Sequence, residues 1–329
     1  MRYFIFIAIA AATAVLFISC NGRENGEIHK ILTQWDNLLE KNPDAISDSL
    51  KTINPQTLSR ENRAYYNLLK TISDDKTYFE FRNDSLINRV VDYYHLHEPY
   101  SNNYIRALTY KGIVRTRMGI TDSTVYEPLK KADHIFHTQK NPDPATGYIL
   151  HYFMGNTHYY NGNFELAGKY FQESLHNAKL KNDSLHIFDA YLAIYWNKMA
   201  QSDFDTGKKY LDSLSFFFDK IPDKNYLILN AQSVYFEATK EFDKALDCDK
   251  KLLTLTKSQK EDIDFSSLYF AISTRYSTLN QLDSAMLYGQ IAIESIVDEN
   301  KKENYLFYDN VANIAEKQQN YLLANTYRQ

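Results

Sequence analysis

The stretch Gly155-Asn156-Thr157-His158-Tyr159-Tyr160-Asn161-Gly162-Asn163-Phe164-Glu165-Leu166-Ala167 decides the fold. Phe164 stands three residues before the small Ala167, with polar Asn163 ahead of it and acidic Glu165 behind. The same arrangement returns at Phe204 and Gly207, Phe242 and Ala245, Leu282 and Ala285, and Tyr321 and Ala324, at successive spacings of 40, 38, 40 and 39 residues. Asp203, Glu241, Gln281 and Asn320 take the place of Asn163, and Asp205, Asp243 and Asp283 that of Glu165. A capping side chain satisfies free N–H groups of a first helical turn, and an acid complements the positive end of the helix dipole. Each pair therefore opens a helix. Nine residues upstream lies a second helix position that is small in Gly155, Ser233, Ser273 and Ala312, where two helices can approach closely; Tyr195 departs from this pattern. Two helices per period, neither able to bury its apolar face alone, predict an all-α solenoid of stacked hairpins.

Composition agrees. The 329 residues are 44% hydrophobic and 24% charged, enough apolar material for a substantial core, while 10 glycines and 7 prolines disfavour turn-dense β folds. A net charge of −4 offers no cationic footprint for nucleic acid. Pro43, Pro55, Pro99, Pro142, Pro144 and Pro222 fall in polar links, and Pro128 is expected in a first turn. From Asp223 onward there is no proline and only Gly289, so helix and short turn should fill that region.

The N-terminus carries an address. A basic start, an apolar run from Phe4 to Ile18, then Ser19 and Cys20 fit a secretory signal too short to span a bilayer comfortably. A cysteine directly after the apolar run resembles the lipobox of bacterial lipoproteins, in which the thiol is acylated and becomes the first mature residue. The expected organisation is a signal peptide over 1–19, a short flexible tether over 20–26 and a single repeat domain over 27–329, anchored to a membrane through lipidated Cys20 and facing the periplasm. Cys248, among acids in a helical stretch, reads as a buried, inert thiol.

Gly155, Tyr159, Gly162-Asn163-Phe164, Ala167, Phe171 and Leu175 resemble a tetratricopeptide repeat, with units about five residues longer than the usual period of about 34. Leu38 to Ala45, Asn62 to Leu69, and Asn83 to Ile87 with Val90 to Tyr94 are similar to the start of tetratricopeptide lipoproteins of the Bacteroides type. That resemblance implies an envelope-facing helical domain. Relatives often continue into a transmembrane helix and a regulator domain, neither of which is seen here.

No Gly-x-Gly, Cys-x-x-Cys, His-Glu-x-x-His or Gly-x-Ser-x-Gly occurs, which removes phosphate cradles and most metal and serine-hydrolase templates. His134 and His137, three apart beside Asp133, can share a helix face, but nothing nearby in sequence supplies a third ligand. His95 and His97 suit a helix C-terminus, and His151 and His158 suit packing. No catalytic residue, metal or cofactor is expected.

In a solenoid the first helix of each hairpin lines the concave groove. Taking the register from Gly155, the groove candidates are Tyr152, Asn156, Tyr159 and Tyr160, with Trp196, Asn230 and Thr274 beyond and Arg106 and Arg117 before. Aromatic bodies with polar tips suit recognition of an extended peptide or a glycan, and a protein or peptide partner is expected. The alternatives are the sensory domain of an envelope signalling or transcriptional regulator and, remotely, a metal-dependent hydrolase. At the C-terminal end, Phe307, Val311 and Ile314 are expected to be incompletely covered, giving an edge for self-association.

Overall fold

A computed structural model describes residues 21–259, 265–296 and 304–328. The signal peptide and Cys20 lie outside them. Among the described residues the regular elements are sixteen α-helices and two short 3-10 turns, which makes the chain an all-α, tetratricopeptide-like repeat protein. Contacts divide it into two compact units. The first runs to Asn161 and includes His176–Lys181; the second comprises Gly162–Leu175 and the chain from Asn182.

The first unit holds α1 (Asn21–Leu39), α2 (Pro43–Lys51), α3 (Arg60–Lys76), α4 (Ser85–His97), α5 (Asn102–Arg117), α6 (Ser123–Thr138) and α7 (Pro144–Tyr160). Sequence neighbours pack on one another, and α1, α3, α5 and α7 also pack in succession. Leu68, Leu69, Ile105, Leu129 and Leu150 are wholly buried between them, each contributing on the order of 1.5–3 kcal/mol. Side-chain caps set the starts: Ser59 accepts from the Asn62 N–H, Ser101 from Tyr104, Asp122 from Thr124 and Asp143 from Thr146.

Two expectations are corrected here. The residues read as a tether, 21–26, are the first turns of α1, and the Asn25 carbonyl accepts from Asn62 Nδ2 at 2.8 Å, which ties this end to α3. Pro128 sits inside α6, not in its first turn. A proline lacks the N–H that would bond the carbonyl four residues back. That carbonyl, on Thr124, instead accepts from Arg115 Nη1 at 2.8 Å, while Arg115 Nε donates to Asp84 at 2.8 Å.

Helix α8 (Phe164–Leu180) contributes residues to both units. The second unit continues with α9 (Ser184–Ala200), α10 (Phe204–Ser215), α11 (Asn225–Ala238), α12 (Phe242–Gln259), α13 (Phe265–Thr278), α14 (Leu282–Glu294), α15 (Tyr305–Lys317) and α16 (Tyr321–Arg328). Phe164, Phe204, Phe242, Leu282 and Tyr321 are each the first residue of a helix, as the repeat predicts. The small residues Ala167, Ala245, Ala285 and Ala324 are at most 1% exposed. Tyr195, which breaks the small-residue pattern, is wholly buried and donates its hydroxyl to the Ala231 carbonyl at 2.6 Å.

The turns explain why the register is so regular. Ser202, Lys240, Asn280 and Gln319 adopt left-handed φ of 57°, 62°, 58° and 62°, each two residues before a helix start. The residue after each donates its N–H five residues back, as from Glu241 to Phe236 at 2.7 Å and from Asn320 to Ala315 at 2.8 Å. This closes the preceding helix with a Schellman turn whose last residue stands directly before the next helix. Gly162, at φ 72°, occupies the equivalent place before Phe164. A side chain in this conformation costs about 1–2 kcal/mol, offset in part by glycine's greater freedom when unfolded. Lys240→Gly should therefore stabilise the protein by about 0.5–1 kcal/mol, read as a higher urea midpoint with unchanged helicity.

The C-terminal expectation is also corrected. Val311 and Ile314 are wholly buried, whereas Phe307 stays partly exposed while packing edge-on against Phe270 at 5.0 Å. Gly289 admits the Val311 side chain, since a Cβ there would stand 2.8 Å from Val311 Cγ2. The exposed apolar side chains are others: Tyr305, Leu306, Tyr308, Tyr321 and Leu322. Cys248 is 5% exposed, and burial, with Asp247 adding to it, pushes its thiol up to about 11, so it is a poor nucleophile. No helix among the described residues is long and apolar enough to cross a membrane.

Candidate functional site

Helical geometry places residues four apart on one face. On α7 this puts Tyr152, Asn156 and Tyr160 in a row, with Ile149 and Phe153 beside them. They form one wall of a groove of about 400 Å³ that lies within the first unit. Tyr110, Ile113 and Arg117 of α5 form the facing wall, Val125 and Tyr126 of α6 close the far side, and Asp75 and Lys76 at the end of α3 stand at the mouth. Four groove candidates thus meet here: Tyr152, Asn156, Tyr160 and Arg117.

The groove has an apolar floor and a polar rim. Ile113 and Val125 are 4% and 2% exposed, whereas Tyr160 is 83% exposed. Tyr152 is held by stacking on Tyr148 at 5.6 Å, and Tyr126 donates to the Thr157 carbonyl at 3.3 Å. Burial pushes the Tyr110 and Tyr126 phenols upward, so both remain protonated at neutral pH. The rim charges are compensated: Arg117 pairs with Asp75 at 2.8 Å, and Lys76 pairs with Glu40 at 2.8 Å. Neither rim charge is therefore available at no cost to a charged ligand.

The other candidates lie elsewhere. Arg106 makes a two-pronged ion pair with Asp36 of α1, at 2.6 and 2.7 Å, and Tyr65 donates to the same carboxylate at 2.7 Å. This arrangement holds α1 against α3 and α5. Tyr159 is half-buried, its ring edge-on to Tyr160 at 5.5 Å and its phenol pushed upward by burial. In the second unit Trp196 leans on Tyr195 at 4.9 Å and packs against the core of Phe188, Leu211, Leu214 and Ile228. Thr274 donates to the Phe270 carbonyl at 2.9 Å, and Asn230 is exposed on α11. Sequence reasoning missed Ile149, Phe153, Tyr110 and Tyr126: Ile149 and Phe153 stand three residues before Tyr152 and Asn156 on one helix, a spacing that carried the signal, whereas Tyr110 and Tyr126 come from two other helices and had none.

No protein-family model and no curated protein matches the chain. Solved structures do. The apo form of RapI superposes with a TM-score of 0.69 at 12% identity, covering 91% of this chain and 95% of that one. The apo form of the quorum sensor NprR from B. thuringiensis gives 0.66 at 14% identity, covering 92% and 97%. A Rap protein complexed with Competence and Sporulation Factor gives 0.58 at 10% identity, covering 92% and 96%. At these identities the likeness is one of fold, and the fold of this chain is that of the tetratricopeptide-like helical repeat proteins.

Proposed function

We propose that the chain is a non-catalytic envelope protein, anchored through a lipid on Cys20 and facing the periplasm, that holds a short peptide or an extended segment of a partner protein in the groove of α5, α6 and α7. The observation that carries the reading is the groove itself: an apolar floor, aromatic walls and the Asn156 carboxamide, able to donate and accept toward a peptide backbone. Its compensated rim favours a segment of mixed apolar and neutral polar character over a strongly charged one. NprR has been solved with its cognate peptide NprX, and its fold is shared along nearly the whole of this chain. The lipid anchor and the Bacteroides-type relationship rest on the sequence resemblance alone. A second reading, the sensory part of a regulator, is favoured by the same resemblance and by the description of NprR as a quorum sensor.

The test is photocrosslinking in cells with p-benzoylphenylalanine in place of Tyr160. A discrete adduct in the membrane fraction is expected. Truncating a buried aromatic anchor costs about 2 kcal/mol or more, some thirtyfold in binding. Tyr152→Ala with Asn156→Ala should therefore remove the adduct while helicity and melting temperature stay nearly unchanged. An adduct of undiminished yield in that variant would sink the reading.

A further inference from the structure

The histidines that look unremarkable in sequence converge with a carboxylate in the first unit, apart from the groove. Asp133 and His137 lie one turn apart on α6, and His151 reaches them from α7. Asp133 Oδ1 is 3.0 Å from His151 Nε2 and 3.3 Å from His137 Nδ1, and one ligand atom from each residue lies within 4.8 Å of the others. Around a zinc ion with bonds of about 2.0–2.1 Å, tetrahedral ligand atoms stand about 3.3 Å apart. Two edges of that tetrahedron are already near their final length.

Surrounding groups fix the buried histidine as a metal site requires. His151 is 1% exposed, lies edge-on to Phe136 at 5.1 Å, and has its second nitrogen, Nδ1, 3.2 Å from the Asn177 carboxamide. Without a metal, Nδ1 accepts from the Asn177 amide and Nε2–H donates to Asp133. With Nε2 on a metal the proton moves to Nδ1, and a half-turn of the Asn177 amide presents its oxygen as acceptor. This is the outer-shell contact that orients metal-bound imidazoles. His137 is 55% exposed at its side chain, so the cluster is open to solvent on one side.

We infer that Asp133, His137 and His151 bind one zinc-class divalent cation, with a fourth position left for an oxygen ligand. The inference does not depend on the groove reading. His134, the neighbour that the sequence paired with His137, is exposed and stands outside the cluster.

The purified protein, dialysed against chelator, is titrated calorimetrically with Zn²⁺ alone. One equivalent should bind and raise the melting temperature. His137→Ala, at an exposed position, and Asp133→Asn should each weaken binding by more than about tenfold with unchanged helicity, and His134→Ala should leave it unaltered. Absence of saturable binding in the unmutated protein, equal binding by His137→Ala, or an equal loss in His134→Ala would each overturn the assignment.

Discussion

Replacing Arg275 by methionine should destabilise the second unit by about 3–5 kcal/mol at neutral pH, because it leaves a buried carboxylate without its counter-charge. Arg275 on α13 and Asp249 on α12 have side chains only 6% and 4% exposed, with Nε and Oδ2 2.8 Å apart. Those two atoms attract by charge without the alignment of a hydrogen bond. Ser233 of α11 links them, donating to Asp249 at 2.5 Å and accepting from Arg275 Nη2 at 3.1 Å. Glu237 adds a half-exposed contact to Nη2 at 3.1 Å. Burial pushes the Asp249 carboxyl up to about 6 against the opposing pull of Arg275. Since its folded pKa lies above its unfolded one, the native state binds the extra proton, and stability falls as pH rises from about 4 to 6. Without Arg275 the carboxyl rises further, so the loss continues above pH 6. The cost of Arg275→Met should thus be greater at pH 8 than at pH 5. Urea unfolding at both pH values reads this out. Arg275→Met combined with Asp249→Leu should recover most of the loss, as expected when a buried pair is replaced whole.

Gly147→Ala should cost about 2–3 kcal/mol, well beyond a usual helix glycine, where alanine is favoured by about 1 kcal/mol. A Cβ at 147 would stand 2.4 Å from Phe136 Cζ and 2.8 Å from Asn177 Cγ and Oδ1. Both neighbours are buried, at 5% and 6% exposure, so neither can swing into solvent. The glycine lets α7 approach α6 closely enough for His151 to lie between Phe136 and Asn177. Trimming the ring with Phe136→Leu should return part of the loss. A melting temperature for Gly147→Ala equal to that of the unmutated protein would show that the hairpin adjusts and that this close approach is not needed.

How much of this was legible follows from where each signal lies along the chain. Helix starts at Phe164, Phe204, Phe242, Leu282 and Tyr321 were readable because cap, aromatic and small residue are contiguous and act within one turn. Tyr152, Asn156 and Tyr160 were placed on one face because a helix fixes it from spacing alone. Arg106 and Trp196 show the limit of that reasoning. A face does not reveal that Asp36, seventy residues away, claims the guanidinium, or that the indole lies against its own unit's core. Pro128 misleads because Arg115, on the preceding helix, supplies the donor that makes a mid-helix proline tolerable, a contact that no pattern within one helix announces. The Asp133, His137 and His151 cluster spans two helices and depends on Asn177 from a third, so no local motif announces it.

The recurring turn before each second helix makes the joints of this chain interchangeable. Ser202-Asp203-Phe204 and Lys240-Glu241-Phe242 share a left-handed residue, a polar residue and an aromatic in the same order. Excising 204–241 would set Asp203 against Phe242 and re-create the same joint from the two halves. Duplicating that segment would do likewise. A gene built in this way can lengthen or shorten by whole hairpins through recombination without inventing a new connection. Such a change would alter the reach of the helical array while leaving the first-unit groove of α5, α6 and α7 as it was.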